Sequence, residues 1–187
     1  AAARLSHPGI VAVYEYGEED GQAFIAMEHV TGTPLLRATG RPERLGADAV
    51  LCVMEQLLAA LQCAHEQGVW HRDIKPANLM VTPEGRLKIT DFGIARIDNS
   101  AALPRERGVM GSPGYLAPEC YASGAQQGDQ RADIYACGVL LFELLTGDVP
   151  FQRDERRVTR QAWEACAPSQ QRADVPQDRR RIRHQHE

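Results

Sequence analysis

The sequence predicts an α+β fold, and three observations carry that reading. Residues 10–16 and 22–30 read as a β-hairpin. Residues 47–67 and 131–146 read as two long apolar helices, and a second strand pair, 79–82 and 86–90, falls between them. Strand pairs combined with long one-sided helices give this class when both must bury an apolar face in one core.

Each element has its own local cause. The first strands, Ile10-Val-Ala-Val-Tyr-Glu-Tyr16 and Gln22-Ala-Phe-Ile-Ala-Met-Glu-His-Val30, are rich in β-branched and aromatic residues. The acidic stretch Gly17 to Gly21 between them reads as the hairpin turn. In the first helix, Val50, Val53, Met54, Leu57, Leu58, Leu61 and Ala64 recur at steps of three and four. Asp48 suits its start and Gly68 its end. A polar loop over 70–78 follows, and Pro83-Glu84-Gly85 supplies the turn between the second pair of strands. The stretch 91–119 has no period and reads as a long loop, which in a compact domain is usually functional or disordered. The second helix ends at Gly147, and beyond Phe151 the pattern degrades into Arg and Gln with two isolated prolines.

The 187 residues suffice for one domain with a sizeable core. A hydrophobic content of 43% and a charged content of 25% are ordinary for a globular protein, and a net charge of −4 argues against a nucleic-acid partner. The charge is uneven: residues 152–187 hold nine Arg against six acids. The chain has only two lysines, Lys75 and Lys88, beside nineteen arginines, which makes Lys75 hard to read as incidental. Five cysteines without metal or redox spacing fit a reducing compartment, and a cytoplasmic location is expected, either free or as the cytoplasmic part of a longer membrane-anchored parent. There is no signal peptide and no run of eighteen apolar residues. Oligomeric state is not legible.

Three motifs decide the functional reading. His71-Arg72-Asp73-Ile74-Lys75-Pro76-Ala77-Asn78 is followed by Asp91-Phe92-Gly93 and then by Ala117-Pro118-Glu119. Their order and spacing resemble the catalytic loop, metal-binding triplet and activation-segment end of protein kinases. The chain resembles a bacterial-type Ser/Thr protein kinase over roughly residues 5–151. The resemblance implies a kinase-like α+β fold: the last strands of the small lobe and the first half of the helical large lobe. It divides the chain into a partial kinase domain, 1–151, and an Arg-rich tail, 152–187. It also implies that the Gly-rich loop, the strand lysine and the helix glutamate that grip ATP phosphates would lie before Ala1. The fragment alone is therefore expected to be inactive.

The implied activity is ATP-dependent phosphorylation of Ser or Thr in a protein substrate, with ATP and Mg²⁺ as cofactors. Phosphoryl transfer asks the protein mainly to position groups and neutralise charge. Asp73 takes the place of the base beside the attacking hydroxyl, and Lys75 that of the cation balancing the γ-phosphate. Asn78 and Asp91 supply hard oxygens for magnesium; alone, Asn78 would read as a turn residue. Gly111-Ser112-Pro113 resembles the substrate-docking loop, where Ser112 keeps the hydroxyl that can bridge Asp73 and Lys75. Met27-Glu28-His29-Val30 resembles the hinge: backbone groups of Glu28 and Val30 would hold the adenine edge, with Met27 behind and Met80 beneath. Arg72 would receive an activation-segment anion. That segment has no Thr, so Glu106, as a fixed carboxylate, and Ser100, as a phosphosite, are the candidates. His71 and Phe92 read as core, and Asp133 as the anchor of the loop backbone. The competing reading is a non-catalytic, truncated kinase-like interaction module; intact Asp73, Lys75, Asn78 and Asp91 argue against it.

Overall fold

The described elements are two small antiparallel sheets and a pair of long helices. The structure is a computed structural model, and it describes residues 5–35, 46–92, 113–122 and 129–150. Strands β1 (Val13–Glu19) and β2 (Gln22–Met27) form the expected hairpin. The turn is tighter than the sequence suggested. It is the two residues Asp20 and Gly21, with φ of 52° and 77°, the left-handed pair that a two-residue hairpin needs. Gly17 belongs to the strand instead. It pairs with Phe24, whose ring lies over it so closely that a Cβ at Gly17 would stand 2.5 Å from the ring. The glycine is there for packing and not for the turn. Ile10, expected in the first strand, makes only a parallel bridge to Ile89.

Helix α1 (Ala47–Glu66) matches the apolar period, with Val50, Val53, Met54, Leu57, Ala60, Leu61 and Ala64 buried. Leu58, grouped with that stripe from the sequence, is 43% exposed. Asp48 lies in the first turn, where its charge favours the positive helix end, while Gly46 caps without a side chain. The N–H groups of Gln67 and Gly68 close the last turn on Ala64 and His65. By length and composition α1 could cross a membrane, yet its apolar stripe is buried against β5 and the later helix, as in a core helix.

Strands β4 (Leu79–Val81) and β5 (Leu87–Ile89) pair as expected, and β4 also pairs with β3 (Thr33–Pro34), a two-residue strand the sequence did not announce. The reading of 91–119 as one loop is corrected at its end: Pro113–Tyr115 forms a single 3-10 turn, and α2 spans Pro118–Ala122. Proline suits a first helical position because it lacks only an N–H that has no intrahelical partner there. Helix α3 (Gln130–Thr146) is capped by the Asp129 carboxylate, which accepts from Arg131 N at 2.8 Å, and ends at Gly147 with φ 86°. Asp133 therefore lies within the first turn and does not open the helix. Ten residues of α3, from Asp133 to Thr146, are buried, so this helix runs through the core and has no single apolar face. Cys137 is part of that core, its thiol pushed up to about 12 by burial. Cys52 is exposed on α1. The tail 152–187 lies outside the described residues.

The core predicts its own sensitivity. Leu57 is 0% exposed and Leu51, on the same helix, 58%. Leu57→Ala should lower stability to urea unfolding by ~2–5 kcal/mol, and Leu51→Ala by less than ~0.5 kcal/mol. Equal losses would show that α1 buries a different face.

Candidate active site

The loop 69–78 leaves α1 and is pinned from both sides. Val69 and Ile74 are buried as apolar anchors. Between them the backbone hangs on Asp133 of α3, whose carboxylate accepts from His71 N at 2.9 Å, Arg72 N at 2.7 Å and His65 Nε2 at 2.8 Å. Asp133 is 1% exposed, and a buried carboxylate is tolerable only with such a set of donors. The anchor role expected for Asp133 is what the structure shows. His65 completes it from α1.

His71 is equally constrained. Its Nε2 meets Thr90 O at 2.8 Å and its Nδ1 meets Asp73 N at 3.2 Å. A carbonyl only accepts and an amide N–H only donates, so the ring is neutral with the proton on Nε2. Burial holds its pKa below the usual imidazole range. Phe92 packs edge-on against it at 4.7 Å. Both side chains are core, as read from the sequence. These bonds fit poorly with a zinc site.

Three expected site residues meet in space. Lys75 Nζ lies 2.7 Å from Asp73 Oδ2. Asn78 Nδ2 donates to Asp73 O at 2.8 Å and to Asp73 Oδ2 at 3.2 Å. With that nitrogen committed, Asn78 Oδ1 is the atom left for a cation. The chain then enters β4, and Thr90 N donates back to Asn78 O at 2.9 Å, which sets Asp91 two residues beyond the end of β5 (Leu87–Ile89). Asp91 is exposed and has φ 63°; Arg72 has φ 69°. Left-handed backbone at non-glycine residues costs ~1–3 kcal/mol each and collects at functional sites. Asn78 and Asp91 offer one amide oxygen and one carboxylate. Among the described residues no group of three His, Cys, Asp or Glu side chains could hold a metal. A hard, sparse donor pair of this kind fits magnesium, which keeps most of its shell for phosphate and water.

The other expected residues separate. Met27 ends β2 and is 37% exposed. Glu28 N donates to Ala12 O at 2.8 Å, so the Glu28 amide cannot also serve a ligand and only its carbonyl remains for the expected hinge role. Val30 follows, partly buried, and Met80 sits on β4 opposite Lys88. Arg72 lies 5.6 Å over the Trp70 ring, and its buried Nε has no partner among the described residues. Gly93, Ser100, Glu106 and Ser112 lie outside the described residues. A cavity of about 640 Å³ opens between β3, α1 and the β4–β5 turn, lined by Thr33, Cys52, Val53 and Pro83 among others. No expected site residue lines it.

The sequence model of the protein kinase domain matches residues 1–184. This chain belongs to the protein kinase family. Several bacterial kinases are among its relatives. It is 45% identical over 163 residues to serine/threonine-protein kinase pkn3 of Myxococcus xanthus, covering 82% of this chain and 29% of that protein. It is 42% identical to the probable serine/threonine-protein kinase PknB of Lactococcus lactis, covering 82% and 24%. It is also 42% identical to serine/threonine-protein kinase PrkC of Bacillus subtilis, covering 81% and 23%. The chain thus spans about a quarter of the length of these relatives.

Two site features of this kinase chain escaped the sequence reading. The Tyr115 hydroxyl donates to Glu143 of α3. Burial first, and then Glu143, pushes the Tyr115 pKa up, while burial raises that of Glu143. Glu143 gave no local signal because a lone acid in an apolar helix looks like a surface position. The second is the ion pair of Lys88 and Glu28, for which the scarcity of lysine was the available cue.

The Asp133 anchor yields a direct expectation. Asp133→Ala leaves two buried N–H groups without acceptors, at ~1–3 kcal/mol each. Amide exchange at His71 and Arg72 should speed up while exchange within α1 changes little. Unchanged protection at both would show that Asp133 does not hold the loop.

Proposed function

We propose that the whole protein transfers the γ-phosphoryl group of ATP to Ser or Thr hydroxyls of protein substrates. One observation carries the reading: Asp73, Lys75 and Asn78 converge at hydrogen-bond distance on a loop pinned by Asp133. ATP with magnesium would supply the phosphoryl group and screen its charge, held by Asn78 Oδ1 and Asp91 and, at the adenine edge, by the Glu28 carbonyl and Val30. Asp73 orients the attacking hydroxyl and takes its proton on a carboxylate oxygen. Lys75, already beside that carboxylate, offsets the negative charge that gathers on the transferring group. Ser112 would bridge the two and align the acceptor. Nothing observed favours the non-catalytic module.

Arg72 supports a regulatory reading of the same site. Its buried Nε, without a partner among the described residues, suits an anion delivered by the activation segment. Glu106 would supply a standing carboxylate, with Ser100 as the alternative phosphosite.

Two measurements test these roles in the full-length gene product. Asp73→Asn should lower phosphate transfer by ~10²–10⁴ with the fold intact by circular dichroism; unchanged transfer in a radiolabel assay would refute the role of Asp73. Glu106→Gln should lower activity, and phosphatase treatment should leave the wild-type protein nearly unaffected. Loss of activity with phosphate released from Ser100 would make Ser100 the switch.

A further inference from the structure

Lys88 is the second of only two lysines among nineteen arginines, and the proposed chemistry leaves it unused. It sits on β5 opposite Met80, three residues before Asp91. Its Nζ lies 2.5 Å from Glu28 Oε1, and the two side chains are only 16% and 28% exposed. The other oxygen of Glu28 accepts from Ala12 N at 3.2 Å, and Glu28 N donates to Ala12 O at 2.8 Å. Glu28 is thus held by its amide and one carboxylate oxygen to the start of the first hairpin, and by the other oxygen to the second sheet.

The geometry points to Lys88 as a positioning residue for the nucleotide: its ammonium clamps Glu28 and so fixes the 27–30 segment against the strand that leads to Asp91. The inference rests on the phosphoryl-transfer reading above. The two sheets are otherwise joined here by backbone bonds further from the hinge, from Val11 N to Ile89 O and from Ile89 N to Gly9 O. The Lys88–Glu28 pair adds a side-chain link at the residue whose carbonyl would face the adenine edge. Lys88 keeps the Glu28 carboxylate ionised, holding its pKa below the usual range. A group that binds one end of a ligand pays off in affinity when its geometry is fixed in advance, and the clamp does this for a backbone carbonyl that has no rotamer of its own to lock. Lysine suits the place as a compact point charge, where a guanidinium would ask for a planar, two-pronged partner.

The test uses two probes on the full-length gene product: adenosine, which reports the hinge alone, and magnesium pyrophosphate, which reports the phosphate end. Lys88→Met should weaken adenosine binding about fivefold by calorimetry, a partly exposed charged hydrogen bond being lost. Magnesium pyrophosphate affinity should stay within about twofold, and Lys88→Arg, whose planar guanidinium fits a single carboxylate oxygen less well, should restore the adenosine affinity only in part. Glu28→Gln combined with Lys88→Met should be no worse than Lys88→Met alone, because the two side chains act as one unit. Unchanged adenosine affinity in Lys88→Met, or equal weakening of both probes, overturns the inference, as does full additivity in the double variant. The outcome is separable from the catalytic reading. Asp73→Asn that still transfers phosphate refutes the role of Asp73, whereas loss of all phosphate transfer in the wild-type protein would refute the reaction; in either case adenosine binding continues to report on the clamp.

Discussion

The Asp133 carboxylate is the interaction on which the site depends. It is buried on α3 and takes hydrogen bonds from α1 through His65 and from two successive amides of the 69–78 loop. Arg72 carries a left-handed backbone, which an ordinary residue adopts only when its surroundings over-determine it. The bond from Arg72 N to Asp133 is the constraint that does so. It turns the chain sharply enough that His71 points into the core while Asp73 points out. A charge in the core is costly, and here the cost fixes a backbone that no local propensity would choose.

From that fixed point the order propagates by hydrogen bonds with only one possible direction. His71 is neutral because its two nitrogens face a carbonyl and an amide. It therefore links the Asp73 backbone to Thr90, which bonds to Asn78 O in turn. Asn78 then reaches back to Asp73 with its amide. The circuit closes through the His71 ring, the Thr90 and Asn78 backbone and the Asn78 amide, so the position of the Asp73 carboxylate relative to Asn78 follows from a closed set of hydrogen bonds. Cooperative networks of this type are worth more than separate pairs because no member can relax alone.

How much of this was legible follows from what kind of interaction makes each part. Helix α1 was readable almost to the residue because its burial repeats with the helical period. The three motifs were readable because side chains that share a job sit close in sequence. The hairpin turn was misplaced because Gly17 resembles a turn residue, whereas its role is set by Phe24 seven positions away. Strand β3 is two residues long and exists only through its partner, so no local pattern could announce it. His65, Glu143 and the Lys88–Glu28 pair were hidden for the same reason: each finds its partner 28 to 68 residues distant, across elements.

Glu143 gives α3 a second function. It accepts the Tyr115 hydroxyl from the segment that follows the long loop, while Asp133 holds the loop that carries Asp73. Ten residues separate these acids, or about 15 Å of helix axis. A helix buried along most of its length, from Asp133 to Thr146, cannot bend or slide without disturbing its packing, so it acts as a rigid spacer between the two segments. One of those segments would hold the base and the other would receive the substrate. Their separation is then set by a structural element that touches neither reactant, and a change in α3 packing far from either acid would alter alignment before it altered stability.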